Sequence, residues 1–152
     1  MFTLESIGVT FNERKTPKDD YWGEVVSEIK LDKNWDISCL DEITSFSHLE
    51  IIYLFHLVQE NDIQYTSRHP RNNKDYPKVG IFAQRGKNRP NRIGVTAVEL
   101  ISKDGNSLFV KGLDAIDGTP ILDIKPIMNE FLPKGEIKQP IWASDLMRNY
   151  WE

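Results

Sequence analysis

Cysteine is almost missing from this chain: Cys39 is the single one in 152 residues. No internal disulfide can form, so nothing ties the fold to an oxidising compartment. The opening run MFTLESIGVTFNERK has no basic segment followed by an apolar one, because Glu5 interrupts it, so no secretory leader is expected. No stretch reaches the length of a membrane span, and the most apolar run, Leu49–Val58, contains Glu50 and His56. A cytoplasmic protein with no membrane partner is the expectation. The 3 histidines lack a supporting pattern of cysteines or carboxylates, and no metal is expected. No GxGxxG occurs, so the glycine-rich turn of doubly wound nucleotide-binding folds is absent. Internal repeats, low-complexity tracts and interdomain linkers are absent too.

What is present is the composition of a single globular domain over residues 1–152: 39% hydrophobic and 28% charged, with enough aromatic side chains for a core. The net charge of −4 argues against a polyanionic partner until its distribution is read. Thr66–Arg92 carries eight cations (Arg68, Arg71, Lys74, Lys78, Arg85, Lys87, Arg89, Arg92) against Asp75 alone, a local +7. The remaining 11 cations and 22 anions leave −11 elsewhere. A basic block on an acidic body suits a polyanion or a phosphate-bearing ligand. A solvated loop that happens to be basic is the alternative.

The chain reads mostly as strands. Short β-favouring runs lie in Phe2–Phe11 and Gly23–Leu31, on either side of the polar segment Asn12–Asp20. Leu40–Phe46 reads as one helical turn or two. Leu49–Leu57, aromatic and β-branched, reads as a buried strand. Lys78–Gln84 and Arg92–Ser102 read as further strands, the second turning through Lys103-Asp104-Gly105-Asn106 into Ser107–Leu113 as a hairpin. A last strand is predicted over Ile121–Ile124. The tail Ala143–Glu152 spaces Leu146 with Tyr150 and Met147 with Trp151 at i, i+4, which predicts a short C-terminal helix capped by Ser144. Roughly six strands with few helical patterns imply an all-β barrel or sandwich with minor helices.

Three constellations carry candidate chemistry. The first is Phe46-Ser47-His48-Leu49 followed by Phe55-His56. Strict strand alternation would put His48 and His56 on one face, and either could instead be a core histidine with satisfied hydrogen bonds. The second is Gly80-Ile81-Phe82-Ala83-Gln84-Arg85 leading into Arg89-Pro90-Asn91-Arg92-Ile93-Gly94. A strand ending in this turn puts guanidinium groups at a barrel rim, where they can fork onto phosphate or carboxylate. Pro90 would stiffen the turn, and Gly86 and Gly94 would relax it. An ordinary basic hairpin loop is the other reading. The third is Leu113-Asp114-Ala115-Ile116-Asp117-Gly118-Thr119-Pro120, continuing to Asp123 and Lys125. Asp-Gly-Thr-Pro is a natural tight turn; it could also clasp a ligand, offering amide donors and a carboxylate to a ribose or amino-acid group.

Phe46–Leu49 with Phe55-His56, Gly80–Arg85 with Arg89–Gly94, and Asp117–Pro126 occur in an order and spacing that resemble the TrmO (YaeB/VirR-like) family of S-adenosylmethionine-dependent tRNA methyltransferases. The likeness runs from about residue 7 to residue 126, leaving 127–152 as a C-terminal extension. The resemblance implies a single β-barrel, a homodimer with the cofactor near the subunit interface, and methylation of N6 of threonylcarbamoyladenosine at adenosine-37, beside the anticodon. By motif position, the contacts to S-adenosylmethionine would be His56, Leu57, Arg85, Val95 and the turn Ile116, Asp117, Gly118, Thr119. Pro17-Lys18-Asp19 stands where the family has another contact and departs from its pattern. Arg92 stands where many relatives have proline.

Methyl transfer needs the sulfonium held in line with the attacking nitrogen, so positioning would be the main catalytic contribution. The nitrogen must also lose a proton; Asp117 is the first candidate base and His56 the second. The anticodon loop presents its base without duplex opening, and Arg68, Arg71, Lys87, Arg89 and Arg92 would meet its phosphates. Bacterial members often carry a second C-terminal domain, and this chain ends soon after its barrel. That leaves two alternatives: methyl transfer to a small molecule or another RNA, and a non-catalytic S-adenosylmethionine-binding module.

Overall fold

Successive side chains of an extended chain point to opposite faces, so alternating apolar residues can line a closed sheet. In the computed structural model, which describes residues 1–152, eight strands form: β1 (Gly8–Phe11), β2 (Val26–Leu31), β3 (His48–Leu54), β4 (Ser67–Arg68), β5 (Val79–Gly80), β6 (Ile93–Asp104), β7 (Ser107–Lys111) and β8 (Pro120–Pro126). Six of them close into an antiparallel barrel in the order β1-β2-β7-β6-β3-β8, while β4 and β5 make a separate ribbon. The expected all-β barrel is what the chain forms. Closure removes the unpaired edges that an open sheet would expose. No helix is long and apolar enough to cross a membrane.

The inward stripes are Ser27, Ile29 and Leu31 on β2, Leu49, Ile51 and Tyr53 on β3, Gly94, Thr96 and Val98 on β6, and Leu108 and Val110 on β7. Ile29, Leu49, Ile51, Leu108, Val110, Leu113 and Ile121 are wholly shielded from solvent. Burying one such side chain contributes about 1.5–3 kcal/mol. β6, 12 residues long, serves two partners: its first half pairs with β3 and its second with β7. The register shifts between Leu100 and Ser102, a bulge that bends the strand around the barrel.

Several boundaries differ from those predicted. Phe2–Ile7 does not extend β1; Gly8–Phe11 pairs with β2, and Gly8 and Val9 pair with β8 as well. Gly23–Val25 is a turn, with the Val25 amide donating to Trp22 O at 3.1 Å. Leu40–Phe46 belongs to two single 3-10 turns, Ile37–Leu40 and Ile43–Ser45. Lys78–Gln84 is a strand only at Val79–Gly80, and the chain then coils through Ile81–Ala83 to bury Ile81. β6 begins at Ile93 because Arg92 takes a left-handed conformation, φ 53°, and Gly112 at φ 86° ends β7 early. The helix, α1, spans Ile141–Leu146 and starts at Pro140. Ser144 does not cap it; its hydroxyl instead accepts from Gln139 Nε2 at 2.8 Å. Residues 147–151 form turns, so the i, i+4 pairs of the tail are not helical neighbours.

Candidate active site

Register brings the expected site residues to one end of the barrel. Leu54 and Tyr53 at the end of β3 pair with Ile93 and Gly94 at the start of β6. Tyr53 also pairs with Ile121, at the start of β8. The chain leaves β3 directly into Phe55-His56-Leu57, and Ile116–Thr119 enters β8 from the same end. His56, Leu57, Val95 and the 116–119 turn therefore share a rim although they lie up to 63 positions apart in sequence.

Two direct contacts tighten that grouping. Arg85 Nη2 donates to the Val95 carbonyl at 2.7 Å, which ties the end of the Gly80–Arg85 run to the start of β6. A Cβ added to Gly118 would stand 3.9 Å from His56 Nε2, so the imidazole lies over the glycine. Gly118 has φ 83°, the left-handed region a turn residue here requires. His48 is elsewhere, exposed at the outer start of β3 and bonded to Ser47. The strand ends before His56, so alternation does not relate the two rings, and neither is a core residue.

The Asp-Gly-Thr-Pro turn forms as predicted, closed by the Thr119 amide and hydroxyl on Ile116 O at 3.2 and 2.7 Å. Its amides are not free for a ligand, contrary to expectation. Asp117 N donates to Arg14 O at 2.7 Å and Gly118 N to Thr10 O at 2.8 Å. The Asp117 carboxylate is engaged as well: Oδ1 accepts from the Asn12 amide at 2.9 Å and Oδ2 pairs with Lys15 Nζ at 2.9 Å. The Lys15 ammonium, then the Asn12 amide, hold its carboxyl below the usual carboxylate range. Asn12 completes the tie by donating its Nδ2 to Ala115 O at 2.8 Å. The predicted trio of carboxylates beside the turn is dispersed, since Asp123 pairs with Lys125 at 2.8 Å along β8.

Asp114 turns inward, a placement the sequence did not suggest. Its carboxylate accepts from Tyr53 Oη at 3.0 Å, from Thr96 Oγ1 and from Tyr150 Oη. Burial, reinforced by the neighbouring carboxylate, pushes both phenols well above the usual tyrosine range, so they remain neutral donors. Tyr53 reaches Asp114 because Gly94 leaves room: a Cβ there would lie 2.5 Å from Tyr53 Cε2 and Cζ. The glycine serves this close approach. The left-handed residues of the neighbouring turn are Asn91 and Arg92, at φ 65° and 53°.

The basic block divides into committed and free cations. Arg71 pairs with Asp20 at 3.0 Å, Arg89 Nη1 donates to Gln84 O at 2.7 Å, and Arg92 Nη1 to Val58 O at 2.9 Å. Arg68 Nη2 donates to Asn72 Oδ1 at 3.0 Å. Lys74, Lys78 and Lys87 are exposed. The segment at Pro17–Asp20 is held down by the Arg71–Asp20 pair and by Arg14, whose guanidinium stacks 4.3 Å from the Trp22 ring.

Two clefts, of about 220 and 170 Å³, lie on the flank of β1 and β2 and beside Ile43 and Phe46. Neither is lined by His56, Arg85 or the 116–119 turn, and both are smaller than pockets that enclose a cofactor-sized ligand.

Residues 7–131 match the family described as tRNA-methyltransferase O N-terminal domain. A "Probable S-adenosyl-L-methionine-binding protein" of Methanothermobacter thermautotrophicus is 34% identical over 127 residues, covering 81% of this chain and 88% of that protein. The human "tRNA (adenine(37)-N6)-methyltransferase" is 34% identical over 107 residues, covering 70% of this chain. The chain spans only 24% of the length of that human protein. In fold, the chain resembles the crystal structure of TrmO from Pseudomonas aeruginosa, with TM-score 0.75, 22% identity, and coverage of 93% of this chain and 62% of the other.

Proposed function

The chain belongs to the family of the tRNA-methyltransferase O N-terminal domain, and from that premise we propose that it is a methyltransferase acting on N6 of adenosine-37 in tRNA, with S-adenosylmethionine as methyl donor. The observation that carries this reading is the meeting of His56-Leu57, Arg85 with Val95, and Ile116–Thr119 at one barrel end. The donor set fits the cofactor. Arg85 offers a guanidinium for its carboxylate, Leu57, exposed at the rim, offers apolar contact, and Gly118 keeps the surface beside His56 free of a Cβ. When bound, the cofactor would supply an electrophilic methyl group for N6, with S-adenosylhomocysteine as its by-product.

The protein's own task is then to orient the acceptor and remove the N6 proton. Asp117 is a poor base here, because the same contacts that depress its carboxyl reduce its pull on a proton. His56 is the better-placed candidate, and Asp117 acts by fixing the turn to Asn12 and Lys15. Lys87 tracks tRNA phosphates, while Arg68, Arg71, Arg89 and Arg92 mainly hold the block's shape. The full acceptor is threonylcarbamoyladenosine in the anticodon loop, by the family resemblance.

A homodimer in the cytoplasm completes the reading. Phe82, Tyr65 and Leu57 are 80%, 72% and 52% exposed in or beside the site-bearing segments, apolar surface that a second subunit would cover. Such cover would also shield the rim from solvent. The test is nucleoside mass spectrometry of tRNA from cells lacking this protein. Loss of the N6-methyl form of threonylcarbamoyladenosine is expected; an unchanged nucleoside profile would remove tRNA as the acceptor.

A further inference from the structure

The C-terminal tail lies outside the segment that matches the family, yet it reaches the barrel end. Tyr21 N and Trp22 N donate to Asn149 O and Tyr150 O at 3.1 and 2.8 Å. Gly23 permits this seating: a Cβ there would fall 1.9 Å from Trp151 O. Farther back, Tyr76 Oη donates to Asp145 Oδ2 at 2.7 Å, and the Trp142 ring packs 6.5 Å from Tyr76. The tail is thus laced to the N-terminal loop and to the basic block, and its penultimate aromatic pair inserts Tyr150 onto Asp114.

The stretch from Asp114 to Thr119 is tied to the rest of the chain at several polar positions. Asp114 is held by three hydroxyls, Ala115 O by Asn12, and Asp117 by Asn12 and Lys15. The amides of Asp117, Gly118 and Thr119 are all bonded within the chain. Among these ties, Tyr150 alone comes from beyond residue 131. We propose that Tyr150 is a positioning residue: through Asp114 it holds the 114–119 turn in the form that receives S-adenosylmethionine, so the tail is a working part of the site. This rests on the reading of that turn as a cofactor contact. Tyr150 touches Asp114 rather than the ligand, so its effect must pass through that carboxylate.

The test combines amide hydrogen exchange with cofactor titration on the full chain. Tyr150→Phe is expected to speed exchange at Asp117, Gly118 and Thr119 by about three- to tenfold, with the barrel amides of Ile29 and Leu108 unchanged. It should raise the S-adenosylmethionine Kd by a similar factor, about three- to tenfold, while turnover at saturating cofactor is kept. In an Asp114→Asn background, Tyr150→Phe should add nothing further, because the two act as one unit. Arg148→Ala, which breaks an exposed ion pair on the same tail, should change neither measurement. Unchanged exchange and affinity in Tyr150→Phe, full additivity with Asp114→Asn, or a uniform loss of protection across the barrel would each overturn the proposal. A wild-type protein that binds no S-adenosylmethionine would instead defeat the reading of the site, and exchange alone would still decide whether Tyr150 holds the turn.

Discussion

The 112–119 connection and the 66–92 block are both irregular segments at the barrel end, yet they are built in opposite ways. In the first, the carboxylates of Asp114 and Asp117, the Ala115 carbonyl and the amides of residues 117–119 are bonded inside the chain, mostly to residues distant in sequence. In the second, Arg89 and Arg92 brace the Gln84 and Val58 carbonyls while Lys74, Lys78 and Lys87 are exposed. A small ligand of fixed shape needs a preorganised contact, because ordering the site on binding would cost affinity. A long polyanion is bound by charge, and flexible lysines suffice for it. The contrast agrees with a division of labour between cofactor and nucleic acid.

The largest break in that contrast comes from removing the acceptor that organises the rigid segment. Asp114→Ala strands the hydroxyls of Tyr53, Thr96 and Tyr150 and should cost about 3 kcal/mol in urea unfolding; a loss under about 0.5 kcal/mol would show that the cluster is not structural. Gly94→Ala should cost about 1–3 kcal/mol by forcing the Tyr53 ring off Asp114, seen as a lowered Tm, and unchanged melting would mean the ring moves freely. Arg92→Ala should cost about 1 kcal/mol by leaving Val58 O without its donor, which separates it from the lysines as a structural cation.

Smaller still is the Asp117–Lys15 tie. A depressed folded carboxyl contributes stability that is complete above its ordinary value of 3.8 and is lost as pH falls through the folded value. Asp117→Asn should therefore lower stability by about 0.5 kcal/mol near neutrality, and the difference from wild type should shrink in acid. A gap that widens as pH falls would contradict the assigned contacts. Lys87→Ala should leave melting unchanged and reduce the salt dependence of tRNA binding by about one phosphate contact, while a loss of stability there would blur the contrast.

The barrel was legible because its signal is local. Leu49, Ile51 and Tyr53 alternate with half-buried residues, and Lys103–Asn106 announces the β6–β7 turn within a few positions. The site was legible as sets of residues and not as contacts. Nothing in the run from Leu113 to Pro120 indicates that Asp114 points inward, because its partners Tyr53 and Tyr150 are 61 and 36 positions away. Nothing local marks Asn91 and Arg92 as the left-handed residues of the turn that carries Pro90. Gly94 was read as a source of turn flexibility, whereas its missing Cβ makes room for an aromatic ring. The extent of α1 was misread because helical spacing in the tail competes with backbone bonds from Tyr21 and Trp22 to Asn149 and Tyr150, which pull the chain out of a helix.

The most direct measurement is methyl transfer in vitro. Purified protein is incubated with methyl-labelled S-adenosylmethionine and tRNA isolated from cells that lack it, and the nucleosides are resolved by mass spectrometry. Label is expected on N6 of the modified adenosine-37, with Arg85→Ala raising the concentration of cofactor needed for half-maximal transfer. Folded protein that binds S-adenosylmethionine yet leaves every tRNA nucleoside unlabelled would contradict the assignment of the barrel end as a tRNA methyltransferase site.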